Sequence, residues 1–249
     1  MEMERVDGAA VANDNAAAWW TVLARARGNA MIHKRGWFWV PGSLRSGLRI
    51  MILRPDLGPD ALAEITELAA SWPRTSRVTV EDPHSVIDLT ATGLTPNRLP
   101  VMLREPGPVP GSPRLPASVV TDPAEIALVE KVVVDGFPLR QFLPYTVGEA
   151  VPLSLAENPA VAFYLARRAG RPAGACMTMH DGVAGGIYWV GTLPEHRSQG
   201  VGRAVMTAAL EHLGNVPATL TATAAGRPLY ESMGFRTVAE ATWWWQTND

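Results

Sequence analysis

The sequence has little of what would tie it to several protein classes. Cys176 is its only cysteine, so the chain can form no internal disulfide and no cysteine-based zinc site. Lysine stands only at positions 34 and 131, and the formal net charge is −2, far from the basic surplus of a nucleic-acid binder. No apolar run reaches the roughly 20 residues that a membrane-spanning helix needs. The first residues, MEMERVDGAAVANDNAAAWW, are acidic and carry no apolar h-region, so no secretory signal is expected. The absences together lead us to expect a soluble, cytoplasmic protein. What is present is apolar mass: 47% of the 249 residues are hydrophobic, enough for a sizeable core. The preference for Arg, with abundant Ala, Gly and Pro, reads as G+C-rich coding and not as function.

The clearest boundary is REPGPVPGSPRLPAS, Arg104 to Ser118, where five prolines and two glycines favour an extended linker. The expected organisation is a disordered tail over 1–15, an N-terminal domain over 16–104, a Pro-rich linker over 105–116 and a C-terminal domain over 117–249. In the C-terminal half, Asp122 and Pro123 open a helix as N-cap and first helical residue. AVAFYLARRAGRPAGACMTMHDGVAGGIYWVGTL reads as three strands joined by turns at Ala169-Gly170 and Asp181-Gly182. VGRAVMTAALEHLG has helical apolar spacing and ends at Gly214. ATLTAT is a strand, RPLYESMGF a short helix closed by Gly234, and EATWWWQ a last strand. The N-terminal half repeats this grammar: strand LRIMILR, helix PDALAEITELAASW, strand RVTVED, short helix HSVIDLTATG, strand LPVMLRE. Gly93 stands as far before Met102 as Gly234 before Trp243, which suggests a diverged internal duplication.

The chemistry concentrates in TLPEHRSQGVGRAVM, Thr192 to Met206. A strand ends before Arg197-Ser-Gln-Gly200-Val-Gly202 and a helix begins within it. The free N–H groups of a helix start form an anion site, the glycines admit close approach of the backbone, and Arg197 and Arg203 add charge. A pyrophosphate is the matching ligand. A nucleotide P-loop would need Gly-Lys-Ser/Thr, which is absent, and a dinucleotide fingerprint would need a third glycine where Val205 stands.

Pro194-x-x-Arg197-x-x-Gly200-x-Gly202 resembles the coenzyme A pyrophosphate loop of the GNAT superfamily of N-acyltransferases. LYESMGF, thirty residues after Gly200, resembles that family's Leu-Tyr-x-x-x-Gly-Phe box. The resemblance covers about Leu115 to Gln246. It implies an α/β (α+β) GNAT fold: a mixed, mostly antiparallel sheet flanked by helices, here in tandem with a degenerate N-terminal half. It implies that the strand IYWVGT splays at a bulge, so that Val190, Gly191 and Thr192 pair with the pantetheine arm and an amide near Val190 polarises the thioester carbonyl. It also implies that Ser198, Gln199, Gly200, Val201, Gly202 and Arg203, with Arg197, hold the pyrophosphate, and that Tyr230 protonates the departing thiolate. Many relatives have Asn as a cofactor contact seven residues before that tyrosine; Thr223 stands there in this chain.

GGIYWVGT carries no carboxylate to act as general base. Glu195 and His196 read as a solvated face and His180 as exposed beside its turn. A water relay through Tyr188, or an amine that arrives neutral, would complete the proton path. FPLRQFLPY falls where the family's acceptor site is lined, which makes Phe137, Arg140, Phe142 and Tyr145 an expected wall for an acceptor with a carboxylate. In WWW, Trp244 should face away from Trp243 and Trp245, and Cys176 should be a small buried strand residue. The matching turn of the N-terminal half, RPDLGPD, has no Gly-x-Gly and places Asp56 and Asp60 where phosphate would sit. The expected protein is therefore an acyl-CoA-dependent N-acyltransferase. It would use acetyl-CoA and an amine, with no metal, no nucleic acid and no membrane, as a monomeric pseudo-dimer or a homodimer. The alternative is a coenzyme A-binding sensor or structural module without turnover.

Overall fold

A computed structural model describes residues 7–137 and 139–246. Its first element is α1 (Gly8–Ala26), capped by the Asp7 side chain. The strands β1 (Ile32–Lys34), β2 (Trp37–Pro41) and β3 (Leu48–Ile52) follow, then α2 (Pro59–Ser71), β4 (Val78–Asp82) and β5 (Thr95–Arg104). The second half contains β6 (Ala117–Val120), α3 (Pro123–Gly136), β7 (Val161–Arg168), β8 (Arg171–His180), β9 (Gly185–Thr192), α4 (Val201–Leu213), β10 (Ala218–Thr221), α5 (Arg227–Ser232) and β11 (Arg236–Trp245).

The eleven strands of the described residues join one sheet in the order β1-β2-β3-β4-β11-β5-β10-β9-β8-β7-β6. Each half contains one parallel pair, β3 with β4 and β9 with β10, bridged by a helix; the remaining pairs are antiparallel. The final strands of the two halves are exchanged: β11 lies against β4, and β5 lies against β10. Both strands are ten residues long and begin two residues after a left-handed glycine, Gly93 or Gly234. They pair with each other, Leu99 opposite Ala241 and Pro100 opposite Glu240. A two-fold axis between these two pairs exchanges one strand with the other. The internal duplication thus appears as a pseudo-dimer in which each half is completed by the other half's last strand.

The helices cover both faces. α1 and α3 share one core cluster with Phe38, Met51, Phe163 and Met177. α4 and α5 share another with Met102, Tyr164 and Cys176, and α2 packs on Ile50, Val78, Val80 and Trp244. Trp244 is buried there while Trp243 and Trp245 meet edge to face on the other side, as period-two alternation requires.

Two sequence expectations are corrected, and one strand was missed. The tail expected to be disordered over 1–15 is helical from Gly8 onward, because an Ala-rich run carries the buried stripe Ala12, Trp19, Trp20 and Leu23; residues 1–6 of that expectation lie outside the described residues. The short helix expected in HSVIDLTATG is only a 3-10 turn at Thr90–Thr92. The Asp82 carboxylate accepts from the backbone N–H groups of His84 and Ile87, an alternative to helical pairing. Strand β2 was not legible, because Trp37 and Phe38 are both buried on opposite faces and leave no polar alternation to read.

Candidate functional site

β9 and β10 pair only at Gly185–Ala218 and Gly186–Thr219. Beyond Gly186 the two strands part, and the edge of β9 from Ile187 to Thr192 has no ladder partner on that side. On its other side β9 follows β8 with a break in register: Tyr188 pairs with Met177 and Gly191 with Ala175, so Cys176 faces two residues. This is a β-bulge. Trp189 takes a left-handed φ of 51°, costly for a bulky residue. Tyr188 and Trp189 therefore both pack on the α1 and α3 side, while Ile187 and Val190 pack on the α4 side. Trp189 is held by edge contacts with Trp19 and Trp20 at 5.8 and 6.3 Å. Phe137, at the end of α3, supports the strand from behind: a Cβ on Gly191 would lie 3.4 Å from its ring.

The loop after β9 leads into α4. Ser198 and Gly200 have φ of 57° and 83°, and Gly200 caps the helix without any side-chain hydrogen bond. The N–H groups of Val201, Gly202 and Arg203 begin the helix with no intrahelical acceptor. Arg197 donates to the Gly136 carbonyl, and Arg203 to the Pro110 carbonyl and the Ser232 hydroxyl. Among the described residues neither arginine is paired with a carboxylate, so their charge adds to the positive end of α4. Gln199 donates to the Glu195 carbonyl. Gly202 has a packing reason of its own, since a Cβ would lie 3.0 Å from Leu229. The linker adds a group that sequence spacing missed: the Arg114 Cβ lies 4.0 Å from where a Gly200 Cβ would stand.

Tyr230 projects from α5, is 8% exposed and meets Phe235 edge to face. Its hydroxyl has no hydrogen-bond partner among the described residues. Burial, with Cys176 nearby, pushes the phenol well above the ordinary tyrosine range, so it is a protonated donor at neutral pH. Thr223 turns the chain into α5: its hydroxyl accepts from the Gly226 N–H and its carbonyl from those of Gly226 and Arg227.

The four residues expected to wall the acceptor do not converge. Phe142 is buried in the core. Tyr145 donates to the Ala127 carbonyl and to Glu130 Oε2. Glu130 is buried and also accepts from the N–H groups of Gly148, Ala150 and Val151, so this cluster pins the loop after α3. Arg140 is exposed, and Phe137 lies against β9 at Gly191. The relay expected through Tyr188 is also corrected, because its hydroxyl donates to Asn15 Oδ1 in the interior. Glu195 is exposed, and His180 Nδ1 accepts from the Gly182 N–H in its own turn. α1, which supplies Asn15, was the element sequence reasoning missed; its AWW pair was the available signal.

The N-terminal half does not repeat this geometry. β3 and β4 stay paired over four positions, Leu48–Val78 to Met51–Glu81, and Gly58 before α2 has an ordinary φ of −71°.

Residues 159–237 match the family model described as an acetyltransferase (GNAT) domain. No curated protein sequence matches the chain. Among solved structures, a GCN5-related N-acetyltransferase from Kribbella flavida is 22% identical with a TM-score of 0.66, covering 96% of each chain. A GNAT-family acetyltransferase structure from Novosphingobium aromaticivorans is 17% identical with a TM-score of 0.58, over 88% of this chain and 92% of that one. A tandem GNAT protein from the clavulanic acid biosynthesis pathway is 14% identical with a TM-score of 0.56, over 95% of each. At these identities the likenesses establish a shared fold along nearly the whole chain.

Proposed function

From the premise that the C-terminal half of this chain is a GNAT acetyltransferase domain, we propose that the protein transfers an acetyl group from acetyl-CoA to an amine, one cofactor per chain. The observation that carries this reading is the parting of β9 from β10 directly beside the left-handed Gly200 at the start of α4. An open strand edge and an anion-binding helix start are thereby placed side by side. Acetyl-CoA supplies an activated thioester. The N–H groups of Val201 to Arg203, with Arg197, Arg203 and Arg114, bind the pyrophosphate. The free edge at Val190 to Thr192 holds the pantetheine arm, and an amide of the bulge near Val190 stabilises the oxyanion, a contribution of about 3 kcal/mol for one such donor. Tyr230 gives its proton to the departing sulfur, and the proton shed by the attacking nitrogen passes to solvent, from which Tyr230 is reprotonated. The unbroken β3–β4 ladder supports a single cofactor site. The exchange of β5 and β11 provides the two-fold arrangement of a dimer within one chain, which fits a monomer.

A second reading, a coenzyme A-binding sensor without turnover, is favoured by the lack of any carboxylate on β9. Thiol release from acetyl-CoA over a panel of amines tests the first reading, alongside calorimetric titration with coenzyme A. Stoichiometric binding with no amine-dependent thiol release would select the sensor; two equal sites per chain would refute the single-site reading.

No helix of the described residues is long and apolar enough to cross a membrane. Among those residues no group of three His, Cys, Asp or Glu is placed to hold a metal ion.

A further inference from the structure

At the seam between the halves, α1 lies over β11, where small residues meet: Ala9, Ala12 and Ala16 on the helix, Ala239 and Ala241 on the strand. A slot remains beneath the helix with room for a water-sized group. Its other walls are Asn13, Met51, Glu81, His84, Thr221 and Trp243. Glu81, on β4, is 3% exposed. Arg49 is ion-paired to its Oε1 and lies flat over the Trp20 ring, 3.5 Å from the centroid. Asn13 is 7% exposed; its Nδ2 donates to the Leu53 carbonyl, and its buried Oδ1 has no partner among the described residues. A buried acceptor left without a donor is unfavourable, and one from a ligand would satisfy it.

The slot's polar lining is matched to a donor. It presents the Glu81 carboxylate, the Asn13 carbonyl oxygen, the Thr221 hydroxyl and the His84 ring, whose Nε2 is engaged by the Leu53 carbonyl, and no Lys or Arg lines it. An ammonium nitrogen has the required size and carries only hydrogens to give, and the neutral amine it becomes keeps two hydrogens to give beside the lone pair that attacks. A carboxylate would bring a second negative group to Glu81, and Arg49 is already paired there.

Residues of the slot and their neighbours connect it to the proposed transfer site. Thr221 ends β10, the strand that parts from β9. Trp20, which helps hold the Glu81 charge, contacts Trp189 of the bulge. Glu81 acts electrostatically on Tyr188, the residue before that bulge.

We propose that this slot is the acceptor subsite, and that it takes the nitrogen of a compact primary amine bearing no carboxylate, held by Glu81 and Asn13. The proposal rests on the acetyltransferase reading. It gives the N-terminal half a part in substrate choice: α1 and β4 supply the polar groups that β9 lacks.

The test compares amines with the amino acids that share their side chains: isobutylamine with valine, phenethylamine with phenylalanine. Steady-state thiol release is measured for wild type, Asn13→Leu and Glu81→Gln, with coenzyme A affinity measured in parallel. The amines should be used at least tenfold better than the amino acids. Asn13→Leu should raise the amine KM tenfold or more and leave coenzyme A affinity unchanged. Glu81→Gln leaves Arg49 buried without its partner and risks folding; Asn13→Leu removes an acceptor that has no partner and a donor to the Leu53 carbonyl, which the His84 ring still reaches, so it keeps the test available. Equal use of amino acids, or an unchanged amine KM in Asn13→Leu, would overturn the subsite while the acetyltransferase reading stands. Calorimetric titration of isobutylamine into coenzyme A-saturated protein separates binding from turnover. Amine binding that is lost in Asn13→Leu, with no thiol release in wild type, would support the slot and refute the transferase reading. No binding of either amine to wild type would overturn the slot.

Discussion

Tyr188 donates its hydroxyl to Asn15 Oδ1 at 2.6 Å, across 173 positions of sequence. The Asn15 side chain is fully buried and its Nδ2 reaches Asp181 Oδ2 and the carbonyls of Met179 and Ala184. One α1 side chain thus ties the β8–β9 turn to the residue that precedes the bulge. Gly186 makes room for it: a Cβ there would lie 1.9 Å from Asn15 Oδ1. Tyr188→Phe should leave a buried acceptor unsatisfied and cost about 1–3 kcal/mol, read from urea unfolding of the variant against wild type. A midpoint equal to wild type would show that the pair does not couple the halves.

Gly200→Asp places a carboxylate at the start of α4 and a side chain at a φ of 83°. Coenzyme A binding should disappear from calorimetry. Gly58→Asp is the matched control at the start of α2, where φ is −71° and a Cβ meets nothing within 4 Å. Asp is a good N-cap there, so stability and binding should be retained. Loss of binding in both variants would argue against a single site at α4.

Tyr230→Phe keeps the ring against Phe235 and removes only the hydroxyl. Turnover should fall on the order of a hundredfold or more, since positioned acids contribute about 10²–10⁴-fold, while coenzyme A affinity stays near wild type. Equal losses in both would make Tyr230 a binding residue.

The same phenol sets an expectation for pH. Its pKa is raised above 10 by burial, and raising an acid's pKa extends upward the range in which it can donate. Ionisation of Tyr230 should therefore cause no loss of kcat up to about pH 10. A falling limb well below that, present in wild type and absent in Tyr230→Phe, would contradict the raised pKa.

Cys176 is fully buried, with Sγ 3.7 Å from the Val205 carbonyl, and burial pushes its thiol up. The native protein should not react with a thiol-specific disulfide reagent at pH 8 and should react once per chain in denaturant. Rapid labelling of the native state would show that the sheet opens at β8.

Local chemistry determined much of this protein. Asp122-Pro123 begins α3, Ala169-Gly170 turns β7 into β8, and the alternation around Trp244 sets its face, because caps, turns and period-two patterns act within a few residues. Arg197, Gly200 and Gly202 marked the start of α4 for the same reason. The tertiary structure decided what depends on residues distant in sequence. The exchange of β5 and β11 follows from pairing registers that neither strand encodes alone. α1 became ordered because Trp19, Trp20 and Leu23 found a core formed by both halves. Asn13, Asn15 and Glu81 were invisible as site residues because their meaning lies in partners 32 to 173 positions away. Only packing brings those partners within hydrogen-bond reach.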